Sequence, residues 1–95
     1  MDIDGWRREI DKLDKELLEL LNQRARLAIK VGALKQAAGL PLCDPERERF
    51  VLERLRRSNA GPLDDEAVAE LFGQIIRESR RAQALGAAGP CEVQL

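Results

Sequence analysis

Residues 3 to 38 contain no proline and place apolar side chains three or four positions apart, the spacing of one face of an α-helix. These apolar residues are Ile3, Trp6, Ile10, Leu13, Leu17, Leu20, Leu21, Leu27, Ala28, Val31 and Leu34. A continuous helix of about 34 residues would be roughly 50 Å long, whereas a 20-residue helix already crosses a small domain. The whole chain has only 95 residues. Its remaining segments are therefore too short to cover this apolar stripe.

A second, shorter helix is predicted after the long one. Gly39 and Pro41 end the first helix, because glycine suits a left-handed C-terminal position and proline disfavours helix in the residue before it. Asp44 then stands as an N-cap before Pro45 in the first turn, and the helix runs toward Ser58.

A third helix of intermediate length follows the breaker cluster at residues 59 to 62. Asp64 is its N-cap candidate, and its apolar periodicity fades near Gly86. Residues 87–95 have no clear pattern, and we predict a flexible C-terminal tail there. The chain is thus predicted to be all-α, with one helical domain over residues 1–86.

The uncovered part of the long apolar stripe predicts association with a second copy. A two-fold dimer is the commonest symmetry for such a contact, so we expect an intertwined helical homodimer. The alternative is a monomeric bundle in which the first helix is kinked or frayed.

Composition excludes several classes of function. The 16 Lys and Arg residues balance 17 Asp and Glu, so no net basic field attracts nucleic acid. The chain has no His and only two cysteines, Cys43 and Cys91, which argues against a metal site, Ser-His-Asp chemistry or a disulfide framework. No apolar stretch is long enough for a signal peptide or a membrane span, so we expect a cytoplasmic protein with no cofactor.

Polar side chains lie among the apolar residues of all three helices. They are Arg24 and Lys35 in the first helix, Arg47 and Glu48 in the second, and Ser79 and Gln83 in the third. Each alone has a structural explanation, such as a snorkelling cation, a hydroxyl bonded to its own helix or, for Asp44, a cap. Together, however, the inward cations outnumber the carboxylates that could neutralise them. This excess indicates a small ligand with more than one carboxylate or phosphate.

Arg7 lies at the edge of the same face but far from the other cations. It precedes Arg24 by roughly 25 Å and Lys35 by about 42 Å along the helix axis. One small ligand therefore cannot touch all three within one helix. If two long helices run antiparallel in a dimer, Arg7 of one copy approaches the pocket of the other; otherwise it is an ordinary surface arginine.

Five segments carry a resemblance to a known family. They are RREIDKLD at residues 7–14, the leucine pairs at 17–18 and 20–21 with Arg24, AIKVGALK at 28–35, DPERE at 44–48 and the stretch from Leu71 to Gln83. Together they closely resemble the all-helical chorismate mutases over about residues 4 to 84. The resemblance implies an intertwined dimer that rearranges chorismate to prephenate.

The resemblance also implies roles for individual residues. Lys35 and Gln83 would donate to the ether oxygen, and Arg24 and Arg7 of the other subunit would each hold a carboxylate. Four further positions match substrate contacts of the family: Arg47 as a cation, Glu48 and the Asp44 backbone at the ring hydroxyl, and Ser79 at a carboxylate.

Three alternatives stay open at this point. The nearest is an isochorismate pyruvate lyase of the same fold, although Asp44, Glu48 and Ser79 favour the mutase. The others are a non-catalytic dimerisation or regulatory module and a plain helical adaptor. Because the family also occurs fused to a dehydratase, a dehydrogenase or a sugar-acid synthase, association with another enzyme of aromatic biosynthesis is a further expectation.

Overall fold

The structure, a computed structural model, describes residues 1–86, and three helices account for most of them. They are α1 (Ile3–Ala37), α2 (Pro45–Ser58) and α3 (Asp65–Gly86). The predicted all-α class and the order of long, short and medium helices are confirmed. The predicted flexible tail at 87–95, with Cys91, lies outside the described residues.

The ends of α1 are set by local hydrogen bonds. At the start, the Asp2 carboxylate accepts from the Gly5 amide at 2.8 Å. At the end, Gly39 has a φ of +71°, so its amide reaches the Gln36 carbonyl and the Leu40 amide reaches the Lys35 carbonyl. This pair of bonds is a Schellman motif, which satisfies carbonyls that the helix end would otherwise leave unpaired.

Aspartate caps begin both of the shorter helices. Asp44 accepts from the Arg47 amide at 3.1 Å, and Pro45 occupies the first turn, where no amide hydrogen is needed. Asp64 accepts from the Ala67 amide at 2.7 Å ahead of α3. The positions at which the sequence predicts helix starts are therefore confirmed.

Helix α3 packs against both other helices, and α1 extends beyond this contact. The chain measures 54 × 25 × 22 Å, and its long dimension is close to the roughly 52 Å expected for the 35 residues of α1. Only Gly5 and Gly32 of α1 are buried, while Trp6 is 58% exposed and Leu13 62% exposed. The prediction that the short helices leave much of the stripe uncovered is confirmed. Within residues 1–86, no helix combines the length with the apolar composition of a membrane span.

A substitution at Asp64 tests whether its side chain caps α3. Replacing Asp64 with Ala removes the acceptor for the Ala67 amide, and we expect the free energy of unfolding to fall by about 1 kcal/mol. Asp64→Asn keeps a side-chain oxygen and should stay near the wild-type stability. Urea denaturation of the three proteins measures both effects, and equal stability for Asp64→Ala and wild type would contradict the capping role.

Candidate functional site

A cleft of about 310 Å³ lies where the C-terminal half of α1, the start of α2 and the C-terminal half of α3 meet. This volume is at the lower end of the roughly 300 to 1,000 Å³ that small-molecule sites occupy. Seven of the eight residues singled out from the sequence line it: Arg24, Lys35, Asp44, Arg47, Glu48, Ser79 and Gln83. The fold thus brings residues from all three helices into one pocket.

The α1 wall of the pocket carries two cations. Arg24 and Lys35 are eleven residues apart, about three helical turns, so both project from the same face. The Arg24 guanidinium donates to Ser79 Oγ at 2.6 Å, and Lys35 Nζ donates to the Leu42 carbonyl at 3.2 Å. Both cations are half-buried and bonded to neutral oxygens. Their charge is therefore not neutralised by these partners.

The α2 wall is built around its N-terminus. Asp44 caps the helix through its side chain, while its carbonyl accepts from the Glu48 amide at 3.0 Å. The Arg47 guanidinium lies over the ring of Phe50, 5.5 Å from its centroid. This contact is favourable for a cation, but it leaves the guanidinium able to take an anionic partner as well.

The α3 wall contributes two neutral polar side chains, Ser79 and Gln83. Ser79 is buried, and Gln83 Nε2 donates to the Ala28 carbonyl of α1 at 2.8 Å. Gly32 also lies close to Gln83, because a Cβ at Gly32 would lie 3.1 Å from Gln83 Cγ. The missing side chain at Gly32 therefore makes room for Gln83 in the wall.

The sequence interpretation did not identify one charged residue of the lining, Arg80. Arg80 NH1 forms an ion pair with Glu48 Oε2, which joins α3 to α2 within the pocket lining. Arg80 is four residues after Ile76 and three before Gln83, a helical spacing that places it on the pocket side. This spacing is the signal that could have identified it.

The charges of the lining do not balance. Four cationic side chains, Arg24, Lys35, Arg47 and Arg80, face two carboxylates, Asp44 and Glu48, which leaves an excess of two positive charges. Fixed cations and amide or hydroxyl donors can hold carboxylates and stabilise negative charge that develops on a bound molecule. The pocket therefore suits a small dianion.

Arg7 does not line the pocket. It is exposed on α1, 17 residues before Arg24, which corresponds to roughly 25 Å along the helix. Within one chain, Arg7 and the pocket are separate.

Comparison with known proteins gives one consistent family. The model of the family "Chorismate mutase type II" matches residues 6–84. The bifunctional chorismate mutase/prephenate dehydratase of Aquifex aeolicus is 43% identical over 74 residues, which is 74% of this chain and 20% of that protein. The chain spans about a fifth of the length of the first curated relatives it matches.

Two solved structures share the fold over most of their length. Form II of the chorismate mutase from Thermus thermophilus superposes with a TM-score of 0.80 at 40% identity, covering 81% of this chain and 88% of that one. The chorismate mutase from Helicobacter pylori, solved in complex with prephenate, has a TM-score of 0.82 at 32% identity, covering 88% and 91%.

The close approach at Gly32 generates a prediction with a matched control. Gly→Ala in a helix interior stabilises by about 0.8 to 1 kcal/mol where space is free. A Cβ at Gly73 of α3 would have no neighbour within 4 Å, so Gly73→Ala should show this gain. Gly32→Ala should gain less or lose stability, because the new methyl presses on Gln83. Equal stabilisation by both changes in urea denaturation would contradict the tight contact.

Proposed function

The chain belongs to the type II chorismate mutase family, and from this membership we propose that it catalyses the Claisen rearrangement of chorismate to prephenate, the branch step toward phenylalanine and tyrosine. One observation carries the proposal. A single pocket combines an excess of two positive charges with seven residues that resemble the family's substrate contacts. Chorismate carries two carboxylates, which this excess complements.

The chemistry of the rearrangement suits these residues. The reaction breaks the ether C–O bond while a C–C bond forms within the same molecule, so it needs no nucleophile, proton transfer or metal. Catalysis can come from holding the enolpyruvyl arm over the ring in a reactive chair. It can also come from positive charge beside the ether oxygen, where electron density builds in the transition state.

Lys35 and Gln83 are proposed to act at the ether oxygen. Each already donates one hydrogen bond to a backbone carbonyl of the pocket wall. The Gln83 amide has a second hydrogen on Nε2 and the Lys35 ammonium has two more, so each can donate to the substrate while its wall contact orients it. Because an amide does not titrate, Gln83 donates at any ordinary pH.

The remaining lining residues are proposed to hold the substrate's polar groups. Arg24, already bonded to Ser79, binds one carboxylate with Ser79 beside it. Arg47 adds a further cation. Glu48 and the backbone of Asp44 contact the ring hydroxyl.

The second carboxylate is proposed to be bound by Arg7 of another subunit in an intertwined homodimer. The exposed apolar side chains along the N-terminal half of α1 support a dimer, because such a stripe on a helix this long is costly to leave in water. The separation of Arg7 from the pocket supports its action across the dimer. Association with another enzyme of aromatic biosynthesis also remains a prediction, in line with the bifunctional relatives.

An assay of the purified chain tests the proposed activity. Wild-type protein should form prephenate from chorismate without added metal or cofactor. Lys35→Ala and Gln83→Ala should each lose about 10²- to 10³-fold in kcat while remaining folded, because each removes charge or a donor from the ether oxygen. Lys30→Ala is the matched control, since Lys30 is an exposed cation on the same helix outside the pocket.

Other results would contradict the assignment. Release of pyruvate from isochorismate, without prephenate from chorismate, would identify the lyase of the same fold. No activity on either substrate would favour a non-catalytic module, and no affinity for dicarboxylates would favour a plain adaptor. Full activity in both Lys35→Ala and Gln83→Ala would overturn the roles given to these residues.

Mixing two inactive variants tests the dimer and the role of Arg7 together. In a dimer of Arg7→Ala with Arg24→Ala, one site keeps both arginines and the other loses both, if Arg7 acts across the interface. Random mixing makes half of the dimers mixed, so activity should recover to about a quarter of the wild-type level. Sedimentation velocity measures how many chains associate. Arg8→Ala is the matched control for Arg7→Ala, because it removes the neighbouring cation instead. No recovery, or a monomeric wild type, would contradict the shared site.

A further inference from the structure

One carboxylate of the pocket lining should repel a dianionic substrate. Glu48 lines the cleft and is 30% exposed. Like charges a few ångströms apart repel each other strongly where water is partly excluded. In the proposed reaction Glu48 accepts a hydrogen bond from the ring hydroxyl, so its negative charge favours binding at that end of the substrate. The same charge repels the two carboxylates of the substrate.

Arg80 forms an ion pair with Glu48 and so offsets the negative charge of that carboxylate. It reaches Glu48 across 32 residues of sequence and links α3 to α2. Its side chain is only 18% exposed, and both members of the pair line the pocket. The ion pairs Glu53–Arg56 and Glu78–Arg81 differ, since each joins neighbours on one helix, and their side chains are 42% to 69% exposed. The Arg80 pair is thus placed to affect what binds.

We propose that Arg80 is a positioning residue for the rearrangement. Arg80 offsets the charge of Glu48 and holds the Glu48 carboxylate where that carboxylate accepts a hydrogen bond from the substrate's ring hydroxyl. This inference rests on the proposed function. It follows from the charge count, because without Arg80 the lining would have an excess of only one positive charge. It follows also from the geometry, because an ion pair restricts the orientations of the Glu48 side chain.

Steady-state kinetics with chorismate tests the proposal. Arg80→Met removes the charge but keeps much of the side-chain bulk, and we expect KM to rise on the order of tenfold with kcat within about twofold. Arg80→Lys keeps the charge and should hold KM within about threefold of wild type. Arg81→Met, which removes a cation from the next position outside the pocket, should leave both constants unchanged.

The double variant Glu48→Gln/Arg80→Met provides the sharper comparison. It removes one cation and one carboxylate, so the lining regains an excess of two positive charges. We expect its KM to lie well below that of Arg80→Met and within about threefold of Glu48→Gln, because the Glu48 charge that Arg80 offsets is already absent. Thermal unfolding of every variant shows whether each is folded under the assay conditions.

Three outcomes would overturn the inference. The first is an equal rise in KM on removing Arg80 with and without Glu48, which would mean that Arg80 acts independently of that carboxylate. The second is a lower melting temperature with unchanged KM, which would make the pair a structural tie only. The third is a KM for Arg80→Lys as high as for Arg80→Met. Failure of the wild type to form prephenate is a separate result, because it would overturn the proposed function itself.

Discussion

Uncompensated positive charge in an apolar seam is the feature on which the pocket depends. Arg24 and Lys35 bond to a hydroxyl and a carbonyl, and Arg47 lies over an aromatic ring, so none of these contacts cancels a charge. Among the cations of the pocket lining, Arg80 is the one matched by a carboxylate from another helix. Arg24 and Lys35 are half-buried and bonded only to neutral oxygens in these contacts, which is costly for a cation, and the cost is relieved when an anion binds. Neutral donors of the wall then orient that anion.

The length of α1 adds a second constraint, which links binding to assembly. A helix of 35 residues in a chain of 95 extends past the other helices and leaves apolar side chains such as Trp6 and Leu13 exposed. The same extension separates Arg7 from the cleft. In the proposed dimer both features have one explanation, since the second copy covers the stripe and brings its Arg7 to the pocket. The site would then be complete only in the assembled protein.

The chemistry of the pocket agrees with the membership of the chorismate mutase family. The chain has no histidine, and the proposed rearrangement, in which one bond breaks as another forms in a single step, needs no proton carrier. What it requires is a substrate held in one conformation and positive charge at one oxygen. The Leu42 carbonyl, in the loop before α2, orients Lys35, and the Ala28 carbonyl of α1 orients Gln83, which suits both tasks.

Local sequence patterns were sufficient to predict where the helices begin and end. Glycine at position 39 and aspartates at 44 and 64 act through neighbouring backbone groups, so the end of α1 and the starts of α2 and α3 could be predicted from a few residues each. Periodicity also identified most of the polar residues that line the pocket, although not Arg80, because a helix face follows from spacing alone. Which of these residues meet was decided only by tertiary packing. Arg24 and Ser79 are 55 positions apart and Glu48 and Arg80 are 32 apart, and no local pattern encodes the angle between helices that joins them.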